Sequence, residues 1–215
     1  MMSSDESSAR ASRKLSTCAA LITLGATVVI PTLIFAYAGA AWKALAVPLG
    51  FLGVAVALQA SRPAYGRYQY ARLGPGGVGQ CLAHMFSRAF GASDFTRFWR
   101  HWNPFWGYFL AYYCFAPLRR FAPRPLCLIV TFALNGLFHD LVYVWPFGFA
   151  RTERLPFQFP VFTLCLVLIA GIILAAERHR FTLVHLSLRR RVACQLLALV
   201  GPFAFSIGIL LLTRI

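Results

Sequence analysis

The chain has 215 residues, of which 59% are apolar and only 13% are charged. A soluble domain is typically about half apolar and about a quarter charged, so the composition excludes an ordinary water-soluble fold. The formal net charge is +15, from 21 Lys and Arg against 6 Asp and Glu. A nucleic-acid-binding protein would carry these charges on a water-exposed face, which so apolar a chain does not offer. The composition predicts an all-α integral membrane protein with cationic loops.

The predicted elements begin with a polar, Ser-rich stretch at residues 1–14, which we expect to be a disordered tail. Residues 15–215 then predict a single polytopic membrane domain. A hydrocarbon core about 30 Å thick needs roughly 20 apolar helical residues. Stretches of that scale occur five times, the third with one acid, Asp140. The five predicted transmembrane helices are Leu15–Ala38, Ala44–Ser61, Pro125–Ala150, Leu155–Ala176 and Val192–Thr213.

The longest stretch between predicted spans covers residues 64–103. Its Gly-rich run at residues 74–79 predicts a turn, because no strand precedes it and no Gly-Lys-Ser/Thr follows it. We expect His84, shortly after that run, on the polar face of a helix. The apolar residues of this helix recur at helical spacing, which predicts an interfacial amphipathic helix; they are Leu82, Phe86 and Phe90.

Pro104–Leu118 is apolar and aromatic but has only 15 residues. As a helix it would reach about 22 Å, which is short for a span. If the N-terminus is cytoplasmic and this segment turns back, 17 of the 21 Lys and Arg face the cytoplasm; if it crosses, 12 do. Because Lys and Arg concentrate in cytoplasmic loops, we predict a re-entrant or in-plane segment. We expect the chain in the inner membrane of a bacterium.

Ionisable residues inside a span are costly and are candidate functional residues. Asn135, His139 and Tyr143 are spaced four apart, so they form one polar stripe on the helix predicted at Pro125–Ala150. Burial disfavours the imidazolium, so we expect a neutral His139 that can accept a proton. The same stripe can instead hydrogen-bond neighbouring helices. The residues alone leave both interpretations open.

A second candidate region, Asp94–Asn103, directly precedes the short segment and reads DFTRFWRHWN. Aromatic and basic residues are enriched at membrane interfaces in general. An Asn followed by Pro and by a segment too short to cross is less usual there. Combined with the stripe at His139, this region indicates a site built from a re-entrant loop and a buried histidine.

Three stretches resemble the signature region of the membrane-bound O-acyltransferases, over about residues 90–145. They are DFTRFWRHWN, the continuation ending in YYCFAPL, and NGLFHD at residues 135–140. Members of that family carry a Phe-Trp-x-x-Trp-Asn/His element and, some three dozen residues later, a buried histidine. Here Asn103 precedes His139 by 36 residues. The resemblance implies that His139 is the catalytic histidine and Asn103 the polar residue of the other signature position.

The activity implied is transfer of an acyl group from acyl-coenzyme A, or another thioester, to a hydroxyl of a lipid or polysaccharide. No metal or bound cofactor is expected. His139 would act as the base, and Asn103 would orient the acceptor or bind the developing oxyanion. Asn135 would fix the imidazole tautomer. The expected substrate-binding residues are Asn135, Trp99, Arg100 and Trp102.

The expected partners are membrane lipids, the thioester and hydroxyl substrates, and a subunit that completes the acyl tunnel, since the chain is short for the family. Arg97, Arg100 and the arginines of residues 119–124 would attract coenzyme A phosphates or lipid headgroups. One rival hypothesis is a non-catalytic membrane protein with the same scaffold that binds lipid or a partner subunit. Another is a small proton-coupled transporter that uses His139 and Asp140 as a relay.

Overall fold

The structure is a computed structural model that describes residues 63–144 and 158–213. Every regular element among these residues is helical, which confirms the all-α prediction for this part of the chain. The predicted tail at residues 1–14 lies outside the described residues. So do the predicted spans Leu15–Ala38 and Ala44–Ser61.

Eight α-helices and two π-helical segments make up the described ranges. These residues fall into two compact units, residues 63–89 with Trp99–Tyr108, and Phe90–Phe98 with residues 109–144 and 158–213. In chain order the helices are α1 (Pro63–Leu73), α2 (Val78–Phe90), α3 (Phe95–His101), α4 (Pro104–Phe109), α5 (Ala116–Leu118), α6 (Arg124–His139), α7 (Val161–Arg178) and α8 (Leu188–Leu212). The π-helical segments are Leu110–Phe115 and Asp140–Val144.

In the first unit, the predicted turn between α1 and α2 is confirmed. Gly74 and Gly76 adopt φ angles of 77° and 149°, a region that L side chains rarely enter and glycine enters freely. The amide of Gly74 donates to the carbonyl of Tyr70 and closes the last turn of α1. The glycines are therefore required by backbone geometry.

The predicted helix after this turn is present as α2, but it buries a different face. Cys81, Met85 and Ala89 are buried, whereas Phe86, on the face expected to be apolar, is 46% exposed. Small and flexible side chains fit a close contact better than large rings. The Phe86 ring instead lies at the edge of the unit, 5.7 Å from the ring of Trp102.

In the second unit, α7 packs against both α6 and α8. Among the described residues, α7 and α8 are long and apolar enough to cross a membrane by length and composition. α6 is a shorter apolar helix that continues into the π-helical segment Asp140–Val144. The remainder of the span predicted at Pro125–Ala150 lies outside the described residues.

The two long helices begin at different residues from the predicted spans. α7 starts at Val161 rather than Leu155, and residues 158–160 are not helical. Pro160 lacks an N–H and disfavours helical geometry in the residue before it, so the helix starts after it. α8 starts at Leu188 rather than Val192, one turn before the charge-free run, because arginine has a high intrinsic helix propensity and the helix can continue beyond the apolar residues.

Candidate functional site

His139 is the last residue of α6, and its imidazole is oriented by the turn before it. Its Nδ1 lies 2.7 Å from the backbone carbonyl oxygen of Asn135. A carbonyl oxygen only accepts hydrogen bonds, so Nδ1 is the protonated nitrogen and donates. In the neutral ring, the lone pair is then on Nε2. Asn135 thus fixes the tautomer through its main chain.

The faces of the His139 ring lie beside aromatic side chains. The ring of Phe162, in the first turn of α7, is 5.4 Å away, and the ring of Phe138 is 6.0 Å away in an edge-on arrangement. Phe162 in turn contacts Phe203 of α8, with ring centroids 5.6 Å apart. The imidazole therefore lies among aromatic side chains of α6 and α7, and Phe162 packs in turn against Phe203 of α8.

The helix widens directly after His139 into the π-helical segment Asp140–Val144. π-Helical turns inside α-helices are rare and are frequent at functional sites. The backbone amide of Asp140 points at two carbonyls, those of Gly136 and Leu137. The side chain of Tyr143, the third residue of the predicted stripe, lies outside what the structure describes.

Asp140, next to His139, is fully buried and caps the start of α7. Its Oδ1 accepts from the amide of Phe162 at 2.8 Å, and its Oδ2 accepts from the amide and the hydroxyl of Thr163, each at 2.8 Å. First-turn amides have no partner within their own helix, and a carboxylate is favourable at that end of the helix dipole. These bonds give Asp140 a structural role at the junction of α6 and α7.

Gly136 sets how closely α6 and α7 approach. A Cβ atom built on Gly136 would lie 2.4 Å from the Cα of Thr163 and 2.6 Å from the carbonyl oxygen of Phe162. No side chain fits there without moving the backbone of α7. The glycine therefore brings His139 against Phe162 and Asp140 against the start of α7.

Asn103 lies in the first unit, between α3 and α4, with a positive φ of 38°. Its Oδ1 accepts a hydrogen bond of 3.3 Å from the amide of Trp106, and its backbone carbonyl accepts from Gly107 at 2.9 Å. With Pro104 as the first helical residue, this is an Asn N-cap on α4. Asn103 is exposed, and its side-chain amide N–H2 is the part suited to donate to a substrate.

The remaining predicted substrate-binding residues belong to the same unit as Asn103. Arg100 is exposed, Trp99 is half-buried, and the Trp102 ring contacts Phe86. Asn135 and His139 belong to the other unit. The structure thus joins Asn135 to His139, and a shared site of Asn103 and His139 stays a prediction.

Several arginines expected to attract phosphates are engaged within the second unit. Arg124 makes a two-pronged ion pair with Glu177, with Nη–Oε distances of 2.5 and 2.8 Å. Arg97 pairs with Asp94 at 3.3 Å, and Arg119 donates to the carbonyl of Ala122. Sequence reasoning missed the Arg124–Glu177 pair, because 53 residues separate its members.

Comparison with family models, curated proteins and solved structures found no match to this chain.

Proposed function

We propose that the protein is a membrane-embedded O-acyltransferase in which Nε2 of His139 is the base. The observation that carries the proposal is the 2.7 Å contact between His139 Nδ1 and the Asn135 carbonyl. It orients the imidazole and leaves the basic lone pair on the opposite nitrogen. A general base needs this combination of a fixed ring and a defined tautomer.

In the proposed reaction, Nε2 takes the proton of the acceptor hydroxyl as its oxygen attacks the carbonyl carbon of the thioester. The tetrahedral intermediate collapses, the carbon–sulfur bond breaks, and the thiolate takes the proton from Nε2. The products are an ester and a free thiol, and His139 returns to its starting state. The ring faces beside Phe138 and Phe162 limit the access of water, which would otherwise hydrolyse the donor.

Asn103 contributes through its amide N–H2 in this proposal, since its Oδ1 is occupied by the amide of Trp106. A donor of this kind stabilises the negative charge that develops on the carbonyl oxygen or positions the acceptor. Trp99, Arg100 and Trp102, which immediately precede Asn103, would form the approach for substrate.

A re-entrant or in-plane Pro104–Leu118 is part of the proposal, and contacts within the second unit support it. The carbonyl of Ser93 accepts from the amide of Leu183, in the connection between α7 and α8, at 2.6 Å. Thr96 donates to Glu177 at the end of α7 at 3.0 Å. The chain around residues 93–96 is therefore at the end of α7 that carries Glu177.

Arg124, at the start of α6, pairs with Glu177, so the chain is again at this end of α7 when α6 begins. Pro104–Leu118 lies between these two points in the sequence, and a segment that turns back would join them without crossing the membrane. His139 is 15 residues along α6 from Arg124, about 22 Å away. With the arginine-rich end cytoplasmic, His139 would lie in the outer half of the hydrocarbon core.

The experiment that tests the function uses membranes containing the full chain and acetyl-, octanoyl- or palmitoyl-coenzyme A labelled in the acyl group. We expect wild-type protein to transfer label to a membrane or polysaccharide acceptor, and His139→Ala to lose transfer by at least about 100-fold. The matched control is His185→Ala, since His185 is exposed in the connection between α7 and α8. Transfer by His139→Ala at the wild-type rate would refute the assignment of the base.

A second candidate function, non-catalytic binding of lipid or a partner subunit, is favoured by one specific observation. The Oδ1 of Asn103 caps α4, so this residue has a structural reason to be present in a chain that does no chemistry. The same assay distinguishes the two functions. A wild-type chain that neither transfers nor hydrolyses any of the three donors above the His139→Ala background would support the binding function.

A further inference from the structure

The described residues of the first unit are strongly basic. Residues 63–89 and 99–108 contain four arginines and two histidines, and no aspartate or glutamate. Like charges that lie close together repel one another unless a counter-ion or water screens them. The arrangement of these side chains therefore decides whether the charge is spread over the surface or gathered at one place.

Two side chains of α2, Arg88 and His84, contact backbone carbonyls at the end of α1. Nη1 of Arg88 donates to the carbonyl of Arg72 at 2.6 Å, and Nδ1 of His84 contacts the carbonyl of Leu73. Both flank the same glycine, since a Cβ on Gly74 would lie 3.4 Å from Nη2 of Arg88 and 3.8 Å from Nδ1 of His84. The carbonyl of Arg72 thus holds Arg88 through one of its five N–H donors.

His101, at the end of α3, joins this group. Its Nδ1 is buried and has no hydrogen-bond partner among the described residues. Burial first, and then the charges of Arg88, Arg72 and Arg100, hold the pKa of His101 below its ordinary value, and a backbone hydrogen bond with Arg72 offsets part of this effect. Positive charges therefore lie near a buried ring nitrogen that has no hydrogen-bond partner among the described residues, and they favour the neutral ring.

We propose that Arg72, Arg88 and His101, the basic cluster, bind one phosphate group of a ligand. Buried polar groups are nearly always paired. A bound phosphate would favour the protonated form of His101, whose Nδ1–H would then donate to an anionic oxygen. The guanidinium fork of Arg88 suits a phosphate, which accepts from several donors at once. No residue of this cluster takes part in the acyl transfer proposed above, and binding to it can be measured without any acyl transfer.

The phosphate can come from a lipid headgroup or from a soluble nucleotide. Exposed aromatic residues of the same unit favour the lipid, since Tyr70 is 43% and Phe86 46% exposed and aromatic rings are enriched at the headgroup level. Arg72 itself stacks on the Tyr68 ring, 3.4 Å from its centroid, which keeps a cation at this aromatic surface.

The test measures ligand retention by the purified full chain in detergent, by native mass spectrometry. The lipid probes are dioleoyl-phosphatidylglycerol and dioleoylglycerol, which differ by the phosphate-bearing headgroup. We expect wild-type protein to retain the first in preference to the second. Arg88→Gln and His101→Gln should each weaken this retention by about tenfold. If Arg88→Gln does not fold, His101→Gln alone tests the site.

The matched control is Arg67→Gln, which removes the same charge from an exposed position on another face of α1. The soluble arm measures binding of adenosine 3′,5′-bisphosphate by calorimetry. Binding of a probe that is lost in Arg88→Gln and His101→Gln and kept in Arg67→Gln supports the phosphate site. The arm in which this binding occurs shows whether the phosphate belongs to a lipid or to a soluble nucleotide. Equal loss in all three variants, or no preference for phosphate in either arm, overturns the proposal.

Discussion

His139 and Asp140 are adjacent in the chain, yet the structure uses their side chains in unrelated ways. The imidazole of His139 is bonded to its own helix through Asn135, and the carboxylate of Asp140 bonds to the start of α7. One residue of helix corresponds to a rotation of about 100°, which directs the two side chains to different surroundings. The buried carboxylate next to the proposed base is thus engaged in holding α7 to the end of α6.

The structural role of Asp140 predicts the effect of Asp140→Asn. The asparagine has one acceptor oxygen where the carboxylate has two, so at least one amide of Phe162 or Thr163 would lose its acceptor. A buried unpaired amide costs about 1–3 kcal/mol, and we expect the free energy of unfolding to fall by that amount. Thermal unfolding of the purified protein in detergent measures it.

The control for this variant is Thr163→Val, which removes only the hydroxyl bond to Asp140 and leaves both amide bonds in place. Its effect should be smaller, about 1 kcal/mol. If Asp140→Asn unfolds at the wild-type temperature, the capping role assigned to Asp140 is wrong.

Asn103 shows what could have been read from the sequence and was not. An Asn followed directly by Pro is a signal for a helix N-cap and first helical residue, and the structure has this arrangement at the start of α4. The partners of Asp140 carried no such signal, because Phe162 and Thr163 are 22 and 23 residues away. Local capping is thus predictable from neighbouring residues, and capping by a distant residue depends on tertiary packing.

At the scale of the helices, Gly136 controls the contact between α6 and α7. Small residues at helix interfaces in membranes allow the backbones to come close. Gly136→Ala places a methyl group against the backbone of Phe162 and Thr163, so the helices must separate. We expect a loss of about 1–3 kcal/mol, measured as a lower unfolding temperature in detergent.

Gly171→Ala is the matched control, because a Cβ on this exposed glycine of α7 meets nothing within 4 Å. Alanine favours the helix over glycine by about 1 kcal/mol, so this variant should be as stable as wild type or more stable. Equal losses for both glycine variants would contradict a specific close approach at Gly136.

The helices themselves were predicted better than their internal geometry. Apolar runs between charged residues indicate α6, α7 and α8 directly, and Pro160 explains why α7 begins at Val161. The π-helical segment at Leu110–Phe115 leaves no comparable pattern, since it is an irregularity of the hydrogen bonding within a continuous helical stretch. The buried face of α2 was likewise not predictable from the apolar pattern, because Cys81 is buried and the larger Phe86 is exposed.

For the whole molecule, the proposed topology places both arginine-rich connections and residues 93–96 on one side of the membrane. Single cysteines at Arg97, Phe121 and Val184, all exposed, would test it in a cysteine-free background. A membrane-impermeant maleimide should label all three cysteines only after the cells are permeabilised so that it reaches the cytoplasmic side. The reason is that contacts to Glu177 and Ser93 hold residues 93–96, the start of α6 and the connection between α7 and α8 at the same end of α7. Labelling of Phe121→Cys from the outside would show that Pro104–Leu118 crosses.

The central claim is that His139 is a base, and the most direct measurement is acyl transfer by His139→Asn, with thermal unfolding followed on the same preparation. The asparagine amide can take the place of Nδ1 and donate to the Asn135 carbonyl, but it offers no basic nitrogen in place of Nε2. We predict an unfolding temperature close to that of wild type and transfer reduced by at least about 100-fold. A folded His139→Asn protein that transfers at the wild-type rate would contradict the account.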